Sequence, residues 1–338
     1  MDIKHNQDLT KLNTFGVSGQ AKFLVEISNE QELVELFALP EFKDNKRIFL
    51  GGGSNVLFTK DFDGIVVLNK LKGIEIISED NESVLVRAMS GEWWHDLVIF
   101  TVERGYWGIE NLSYVPGTVG AAPMQNIGAY GGELKNTLES VETIEIETGN
   151  KRIFSKEECR LGYRDSVFKN ELKDKYFITA VNLKLSKVEK KNISYKILKN
   201  YLDENKIEVK TVKDISDAVT SIRKSKLPDP KILGNAGSFF KNTFVSKDKF
   251  ESLLAQYPEM PNFVEDEQIK IPSAWLIEQC GWKGKIVGNA GVHDKQALVL
   301  VNHGGATGQE IWDLAQVIIA SVEEKFDLKI TPEVNLIR

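Results

Sequence analysis

The sequence predicts an α+β protein built from more than one domain. Between residues 141 and 225, stretches typical of strands and of helices follow one another without the regular alternation of a βαβ protein. Pro228, Asp229 and Pro230 then interrupt the chain, and such a cluster marks a domain boundary. The length of 338 residues allows two or three domains, each with its own core.

The first part of the chain predicts short strands and two helices. Residues 21–27 are a predicted strand, after which Ser28 and Gln31 have the spacing of a capping box and predict a helix to about residue 39. The other elements expected here are strands at residues 46–50, 64–69, 73–77 and 83–88 and a helix at residues 93–104.

The middle of the chain contains a hairpin signal and a second capping box. Residues 141–147 alternate in polarity, turn at residues 148–150 and return through Ile153. Ser155 and Glu158 predict a short helix that ends before Gly162. The other elements expected here are a strand at residues 176–185 and helices at residues 195–202 and 215–225, the second capped by Asp214.

Beyond the proline cluster the chain predicts mostly helices and loops. The elements expected are helices at residues 247–257, 273–280 and 309–326, a proline-punctuated loop at residues 258–272 and a buried strand at residues 297–302.

Composition and charge exclude several classes of protein. The formal net charge of −6, without a basic cluster, argues against a nucleic-acid surface. No apolar run approaches the ~20 residues that span a bilayer, and residues 1–13 lack the apolar core of a signal peptide. Cys159 and Cys280 are far apart and match no metal spacing. We therefore expect a cytoplasmic protein with no metal, no membrane partner and no nucleic-acid partner.

A glycine-rich turn, residues 51–55, follows the strand at residues 46–50. Its sequence Gly-Gly-Gly-Ser-Asn can present several backbone N–H groups to phosphate oxygens, and a plain tight turn is the alternative. Val56 stands where a G-x-G-x-x-G fingerprint needs its third glycine. A dinucleotide at this turn would therefore be bound by a fold other than the Rossmann fold.

Residues 115–134 are a second glycine-rich segment, which we call the cradle. Glycines and alanines leave few side chains projecting from its backbone, while Pro116 and Pro123 stiffen it. Gln125 and Asn126 add polar side chains. Apolar residues recur throughout, which a solvated surface loop, the alternative, would not need. The pattern predicts a buried cradle for a cofactor.

Three short segments carry residues suited to catalysis. Arg164 is a cation beside Tyr163, where an ordinary ion pair is the alternative. Ser238 lies between small residues and two phenylalanines, without the G-x-S-x-G pattern of a nucleophile elbow. Glu333 is expected in an apolar terminal strand, where burial would raise the pKa of its carboxyl group. Together they offer a cation, a hydroxyl donor and a carboxylic acid.

These segments together resemble the UDP-N-acetylenolpyruvoylglucosamine reductase family. The resemblance covers nearly the whole chain and is most specific at residues 116–131, 162–168 and 234–242. It implies an FAD-binding domain of the vanillyl-alcohol-oxidase type in two subdomains, followed by an α+β substrate-binding domain. These parts would be residues 1–70 with 327–338, residues 71–214, and residues 226–326.

The resemblance also implies an activity in peptidoglycan precursor synthesis. NADPH would reduce noncovalently bound FAD, which would pass hydride to C3 of the enolpyruvyl group of a UDP-sugar. Arg164 and a protonated Glu333 would stabilise negative charge near C2, and Ser238 would give C2 its proton. We expect the enzyme to be a monomer.

The resemblance assigns two further sets of residues. Those expected to contact the cofactor are Gly51, Gly52, Gly53, Ser54, Asn55, Pro116, Gly117, Gly120, Ala121, Met124, Gln125, Asn126, Gly128 and Ile178. Those expected to contact the UDP-sugar are Tyr130, Tyr163, Tyr195, Lys226, Asn242, Phe263 and Gln296. For Lys226, a solvated lysine at the end of a helix is the alternative.

Phe263 departs from the family pattern, which has a tyrosine there that reaches the substrate diphosphate. Phenylalanine cannot donate that hydrogen bond. Closure of the loop at residues 258–272 would therefore rest on packing, on a water molecule or on Tyr257 moving into the site.

Two other functions stay open at this point. One is that of another FAD-dependent oxidase or dehydrogenase of the same fold, although the cradle has no histidine or cysteine for covalent flavin attachment. The other is that of a non-catalytic nucleotide-binding protein. Residues suited to all three catalytic positions count against this second alternative.

Overall fold

The computed structural model describes residues 1–265 and 267–338, which form two compact units. Unit 1 comprises residues 1–7, 21–52 and 63–225, and unit 2 comprises residues 8–20, 53–62 and 226–338. Each unit contains both helices and strands, which confirms the α+β class. The division into three functional parts stays a prediction.

The elements are numbered in chain order. The α-helices are α1 (Glu30–Ala38), α2 (Pro40–Lys43), α3 (Trp94–Val102), α4 (Lys196–Glu204), α5 (Val212–Lys226), α6 (Lys247–Gln256), α7 (Ser273–Gln279) and α8 (Gly308–Phe326). The strands are β1 (Ile3–Asp8), β2 (Gln20–Ile27), β3 (Lys46–Leu50), β4 (Val56–Phe58), β5 (Phe62–Asn69), β6 (Ile74–Glu79), β7 (Ser83–Met89), β8 (Gly128–Ala129), β9 (Gly132–Glu133), β10 (Leu138–Glu145), β11 (Lys151–Ser155), β12 (Tyr176–Ser186), β13 (Gly234–Asn235), β14 (Thr243–Val245), β15 (Phe263–Glu265), β16 (Gln268–Ile271), β17 (Ile286–Val287), β18 (Ala290–Val292), β19 (Leu300–Asn302) and β20 (Asn335–Ile337).

Unit 1 is built on two sheets. The first has the order β1-β2-β5-β3, and its core includes Leu33 and Leu36 of α1. The second is antiparallel, with the order β11-β10-β12-β7-β6. Its core combines the apolar faces of α3, α4 and α5 with Val119, Ala122 and Leu134 of the cradle. The cradle is therefore anchored by the core of the second sheet.

Unit 2 contains three small sheets. Their orders are β13-β19-β18-β17, β14-β16-β15 and the parallel pair β4-β20. The longest helix, α8, begins with a capping box in which the Thr307 hydroxyl accepts from the N–H of Glu310 and the Glu310 carboxylate accepts from the N–H of Thr307. The predicted start at residue 309 lies one residue after the observed start, and the prediction did not include this box.

The first predicted helix cap is wrong by one residue. Asn29, not Ser28, caps α1, because its Oδ1 accepts from the N–H of Glu32 at 2.9 Å. The Glu32 carboxylate in turn accepts from the N–H of Ser28 at 2.8 Å. The cap that is formed places the carboxylate of Glu32 at the third helical position, where it also interacts favourably with the helix dipole.

The other two predicted caps are also wrong in part. The Ser155–Glu158 box forms, with N···O distances of 2.8 and 3.3 Å, but it closes only a turn and no helix follows. Asp214 lies inside the first turn of α5 and accepts from the N–H groups of Lys210 and Thr211. A short polar motif can therefore satisfy local donors without deciding where a helix begins.

Two predicted elements of the C-terminal region, a loop and a strand, differ from the observed structure. The segment at residues 258–272 is not only a loop, since it holds β15 and β16, which pair with each other, and β16 also pairs with β14. The strand predicted at residues 297–302 begins only at Leu300, because the N–H of Val299 closes a turn on the carbonyl of Gln296 at 3.0 Å. Proline punctuation hid the alternation of the hairpin.

Candidate active site

In unit 1 the cradle folds into two 3-10 helices and a short β-turn. The helices are Val119–Ala121 and Pro123–Gln125, and β8 pairs with β9 after them. Gly117 has a φ of 103°, and Asn126 and Tyr130 have φ values of 43° and 48°. Such left-handed backbone persists in non-glycine residues only where the surroundings over-determine it.

Backbone hydrogen bonds fix the start of the cradle. The N–H of Trp94 donates to the carbonyl of Gly117 at 3.0 Å, and the N–H of Gly120 donates to the carbonyl of Ser90 at 2.9 Å. A Cβ on Gly120 would lie 2.6 Å from the Cβ of Ser90. Glycine is therefore needed here so that two protein segments can approach each other.

Asn126 fixes the middle of the cradle. Its Nδ2 donates to the Glu133 carboxylate at 2.8 Å and to the Gly162 carbonyl at 3.0 Å, and its Oδ1 accepts from the N–H of Lys135 at 3.0 Å. Both amide hydrogens are thus bound within the protein. Its predicted contact with a cofactor stays a prediction, and the side chain has a structural role in any case.

One face of the cradle is apolar and open. Pro116, Ala121 and Met124 are exposed, and the neighbouring side chain of Trp93 is 48% exposed. The prediction of a buried cradle is wrong for this face and right for the opposite one, where Val119 has no exposed surface. An open apolar surface beside polar backbone is where a flat ring system can bind.

Within unit 1, backbone donors lie where the glycine turn meets the cradle. Among the residues that the structure describes, the N–H groups of Gly51, Gly52, Gly117 and Thr118 donate to no protein acceptor. A Cβ on Gly52 would lie 2.5 Å from the Trp93 ring and 3.4 Å from the Cα of Gly117. The two segments therefore touch, and their free donors suit the oxygens of a phosphate group.

The rest of the glycine turn belongs to unit 2. The N–H groups of Gly53 and Ser54 likewise have no protein acceptor within residues 1–265 and 267–338. Gly53 has a φ of 63°, and a Cβ there would lie 2.0 Å from the carbonyl oxygen of Leu12. Nδ2 of Asn55 donates to the carbonyl of Glu333 at 3.4 Å. The end of the turn is therefore next to a predicted catalytic residue.

The remaining predicted cofactor contacts differ in accessibility. Gln125 and Gly128 are half-buried in the cradle, whereas Ile178 is 6% exposed and belongs to the core of the second sheet. The contact assigned to Ile178 stays a prediction.

Arg164 is attached to the cradle. It has a φ of 51°, and its Nη2 donates to the carbonyl of Gly128 at 2.9 Å. The guanidinium carbon lies 5.7 Å from the centre of the Tyr163 ring. The Ser166 hydroxyl donates to the carbonyl of Met124 at 2.7 Å, which ties the same loop to the cradle a second time. The structure thus brings Arg164 and Tyr163 to the predicted cofactor segment.

Two predicted substrate contacts, Tyr130 and Tyr195, meet beside the cradle. Their rings pack edge to face with centres 5.7 Å apart. Burial raises the pKa of both phenols, so both keep their protons at neutral pH and can donate hydrogen bonds.

In unit 2, Ser238 and Glu333 lie on neighbouring segments. The N–H of Glu333 donates to the carbonyl of Phe239 at 2.7 Å, and the N–H of Phe239 donates to the carbonyl of Leu298 at 2.7 Å. Phe239 and Phe240 are buried and pack edge to face, with ring centres 5.0 Å apart. Among the described residues, the Ser238 hydroxyl has no protein partner, so it is available to a ligand.

Glu333 differs from its prediction in one respect. It precedes the terminal strand, since β20 begins at Asn335, and it is only half-buried. The prediction that an apolar strand encloses this carboxylate is therefore wrong, because β20 pairs with β4 only beyond this residue.

The other predicted substrate contacts of unit 2 are half-buried polar residues. Lys226 is the last residue of α5. Oδ1 of Asn242 accepts from the N–H of Ser273 at 3.2 Å, and Oε1 of Gln296 accepts from the N–H of Leu298 at 3.3 Å. Their contacts with a substrate stay predictions.

Phe263 is the first residue of β15, and its side chain is 47% exposed. The Lys270 ammonium lies 5.3 Å from the centre of its ring. Tyr257 packs against Trp275 and Phe326, with ring centres 6.0 and 4.9 Å away. Tyr257 is therefore held in an aromatic cluster, which argues against its moving into the site.

Sequence reasoning missed Trp93 and Thr118 as parts of this region. The Trp93 ring lies against the glycine turn, and Thr118 Oγ1 lies 2.2 Å from the position of a Cβ on Gly51. The helix predicted at residues 93–104 included Trp93, whereas this residue is the exposed N-cap of α3. A tryptophan at the start of a predicted helix was the signal available in the sequence.

Comparison with known proteins identifies the family. Residues 229–337 match the family described as UDP-N-acetylenolpyruvoylglucosamine reductase, C-terminal domain, and residues 21–153 match the FAD binding domain family. The chain is 49% identical to the UDP-N-acetylenolpyruvoylglucosamine reductase of Flavobacterium johnsoniae, with 100% of both chains covered. The chain belongs to the UDP-N-acetylenolpyruvoylglucosamine reductase family.

Further relatives agree with this assignment. The reductase of Amoebophilus asiaticus is 46% identical, again over 100% of both chains. The crystal structure of the reductase from Thermus caldophilus superposes with a TM-score of 0.67, covering 100% of this chain and 98% of that one at 23% identity. That likeness supports the fold, and the predicted architecture of an FAD-binding domain with a reductase C-terminal domain is confirmed.

Two other features of the described residues bear on function. No helix among them has the length and apolarity needed to cross a membrane. No group of three or more histidine, cysteine, aspartate or glutamate side chains among them could hold a metal ion.

Proposed function

We infer that this protein reduces the enolpyruvyl group of UDP-N-acetylglucosamine enolpyruvate to give UDP-N-acetylmuramate, a step of peptidoglycan precursor synthesis. The observation that carries this inference is 49% identity over the whole length of a reductase of this name. The cradle, the free donors of the glycine turn and the catalytic side chains suit the same reaction.

FAD fits the residues present. The free N–H groups of residues 51–54, 117 and 118 would hold its diphosphate, and the open apolar face of the cradle would support its ring system. When bound, FAD supplies hydride transfer from NADPH to C3 of the enolpyruvyl group. The protein supplies the binding surface and the electrostatic environment.

We propose catalytic roles for Arg164, Ser238 and Glu333. Negative charge develops at C2 next to a carboxylate, and the permanently charged fork of Arg164 is suited to stabilising it. The Ser238 hydroxyl, which has no partner among the described residues, would give its proton to C2. Glu333 would act as a hydrogen-bond donor when protonated.

The UDP-sugar would be bound by residues of matching polarity. We propose that these residues are Tyr130, Tyr163, Tyr195, Lys226, Asn242, Phe263 and Gln296. The half-buried positions of Tyr130, Tyr163, Lys226, Asn242 and Gln296 support this assignment. We further propose that the enzyme is a cytoplasmic monomer, which fractionation of cells and light scattering of the pure protein would test.

A visible spectrum tests the proposed function directly. We expect the pure protein to be yellow, to release free FAD when denatured in acid, and to be bleached by NADPH without oxygen. The colour should return on addition of the enolpyruvyl substrate. Flavin that stays with the precipitate, or colour that returns only with oxygen, would instead indicate another oxidase of this fold. A colourless protein that binds nucleotide would indicate a non-catalytic role.

Phe263→Tyr is expected to leave substrate affinity level or to lower it. We propose that the hairpin at residues 258–272 closes by covering apolar ligand surface with the ring, which makes a hydrogen bond to the diphosphate unnecessary. Burial of a phenyl ring contributes about 1.5–3 kcal/mol, so Phe263→Ala should weaken binding by roughly 10- to 150-fold. Titration with the substrate measures both effects.

Val264→Ala is the matched control, because Val264 is the 69% exposed neighbour of Phe263 in β15. Its side chain points to the opposite face of the strand. This variant should bind as the parent does. Binding at least tenfold tighter in Phe263→Tyr would refute closure by packing alone.

A further inference from the structure

Arg223 is a cation of unit 1 that the reaction described above does not use. It lies near the C-terminal end of α5 and is partly buried. Three other arginines of unit 1 pair with glutamates within 4.0 Å, namely Arg87, Arg152 and Arg160. Among the described residues, no carboxylate lies that close to Arg223. A partly buried guanidinium without a counter-charge is stabilised when a ligand supplies one.

The donors of Arg223 are oriented but mostly unused. Its Nε donates to the carbonyl of Tyr114 at 3.0 Å. Its two terminal nitrogens have no protein acceptor within residues 1–265 and 267–338. An arginine fork fixed at one nitrogen and free at the other two is suited to binding an oxyanion with two parallel hydrogen bonds.

The carbonyl that holds Arg223 is itself held firmly. Tyr114 has a left-handed backbone, with a φ of 58°, and its N–H donates to Nδ1 of His95 at 3.0 Å. Burial lowers the pKa of His95. The charge of Asp96 raises this pKa, whereas the charges of Lys224 and Arg223 lower it further. The imidazole is therefore neutral at pH 7, and its Nδ1 can accept this bond.

The helix that carries Arg223 is attached to the same segment. Two turns earlier in α5, the buried hydroxyl of Ser216 lies 2.8 Å from the hydroxyl of Ser113. Residues 113 and 114 therefore contact α5 at both Ser216 and Arg223. This double attachment fixes the end of the helix next to the start of the cradle.

Arg223 and Arg164 belong to one electrostatic environment. Tyr114 directly precedes the cradle. Arg164 donates to the carbonyl of Gly128, which lies in the second half of the cradle. Burial lowers the pKa of Arg223, and the charge of Arg164 acts in the same direction, opposed by Tyr130 and Tyr114. Two guanidinium groups that disfavour each other in this way are both stabilised when an anion binds near them.

We propose that Arg223 binds an oxyanion of the substrate, either the enolpyruvyl carboxylate or the diphosphate, as a second guanidinium beside that of Arg164. The assignment rests on the proposed function, because the substrate of that reaction carries both groups. His95 and Tyr114 are positioning residues, since they act on the ligand only through Arg223.

The test uses the FAD-containing enzyme and the variants Arg223→Gln and Arg223→Lys. Lys213→Gln is the matched control, since it removes one exposed positive charge from the same helix. For each protein, FAD content and melting temperature are measured first. Dissociation constants for the enolpyruvyl substrate and for UDP-N-acetylglucosamine are then taken from perturbation of the flavin spectrum, and the rate of reduction by NADPH is measured separately.

We expect Arg223→Gln to weaken binding of the enolpyruvyl substrate by roughly ten- to hundredfold, as for loss of hydrogen bonds to a charged group. Arg223→Lys should recover part of the loss, and Lys213→Gln should bind as the parent does. If UDP-N-acetylglucosamine is weakened equally, Arg223 binds the diphosphate; if it is unaffected, Arg223 binds the carboxylate.

Two results would overturn the assignment. One is a substrate affinity in Arg223→Gln equal to that of the parent. If Arg223→Gln loses its FAD, the same comparison is made with Arg223→Lys. The other is slower reduction by NADPH with unchanged substrate affinity, which would place Arg223 at the nicotinamide nucleotide. A parent enzyme that bleaches with NADPH but neither binds nor reduces the enolpyruvyl substrate would instead refute the proposed function.

Discussion

Ser238→Ala is expected to leave reduction by NADPH nearly unchanged and to slow reoxidation by the enolpyruvyl substrate by ~10²–10⁴-fold, the usual contribution of general acid catalysis. The Ser238 hydroxyl has no partner in the described part of the chain, while the backbone beside it is fixed by the hydrogen bonds of Phe239. Removing the hydroxyl should therefore change the proton donor without changing the segment that carries it. Stopped-flow absorbance follows the two half-reactions separately.

Two comparison variants sharpen this test. Ser238→Cys keeps a proton donor and should retain more of the second half-reaction than the alanine variant. Ser252→Ala, at an exposed position on α6, should behave as the parent does. Equal slowing of both half-reactions in Ser238→Ala would mean that Ser238 is a binding residue and not the proton donor.

Gly52→Val is expected to cause the second large effect, a loss of FAD affinity. The sequence alone suggests that the valine side chain would lower FAD affinity by occupying space next to the diphosphate. The structure adds a different obstacle, because a Cβ at this position would lie 2.5 Å from the Trp93 ring and 3.4 Å from Gly117. Overpacking typically costs about 1–3 kcal/mol, which corresponds to roughly 5- to 150-fold in affinity for FAD. Fluorescence titration of the apoprotein with FAD measures this loss.

A second substitution separates the two reasons. If collision with Trp93 dominates, Trp93→Leu should restore part of the FAD affinity when combined with Gly52→Val. If the side chain instead blocks the diphosphate, the double variant should be as weak as the single one. Gly19→Ala is the control, because a Cβ there would make only ordinary contacts, the nearest at 3.7 Å. An unchanged FAD affinity in Gly52→Val would contradict both explanations.

The structure also shows which local patterns were sufficient for prediction. The predicted strands at residues 21–27 and 46–50 lie within β2 and β3, because apolar alternation and a following glycine turn specify short strands well. The helix caps were less reliable. Ser28 and Asn29 are both good caps, and the choice between them depends on which one places Glu32 to accept from the preceding backbone.

Strands whose apolar pattern is absent or interrupted by prolines were missed. β1 is a polar strand whose residues are exposed or half-buried, so no alternation marks it. β15 and β16 were hidden because prolines flank them, although Ile269 and Ile271 alternate as a strand requires. In both cases pairing with a neighbouring strand decides the conformation, and the partner is distant or follows a break in the pattern.

The sequence by itself determined the α+β class, the family and the short segments that carry the chemistry. Those segments are local, since glycines, prolines and single polar residues impose their backbone conformation and reactivity wherever they occur. The tertiary structure decided which donors stay free. The amide of Asn55 donates to the carbonyl of Glu333, which is 278 residues away in the sequence, and both amide hydrogens of Asn126 are bound within the protein. Arg223, near the C-terminal end of α5, has no carboxylate partner among the described residues. Such partners depend on the packing of distant segments, which no local pattern specifies.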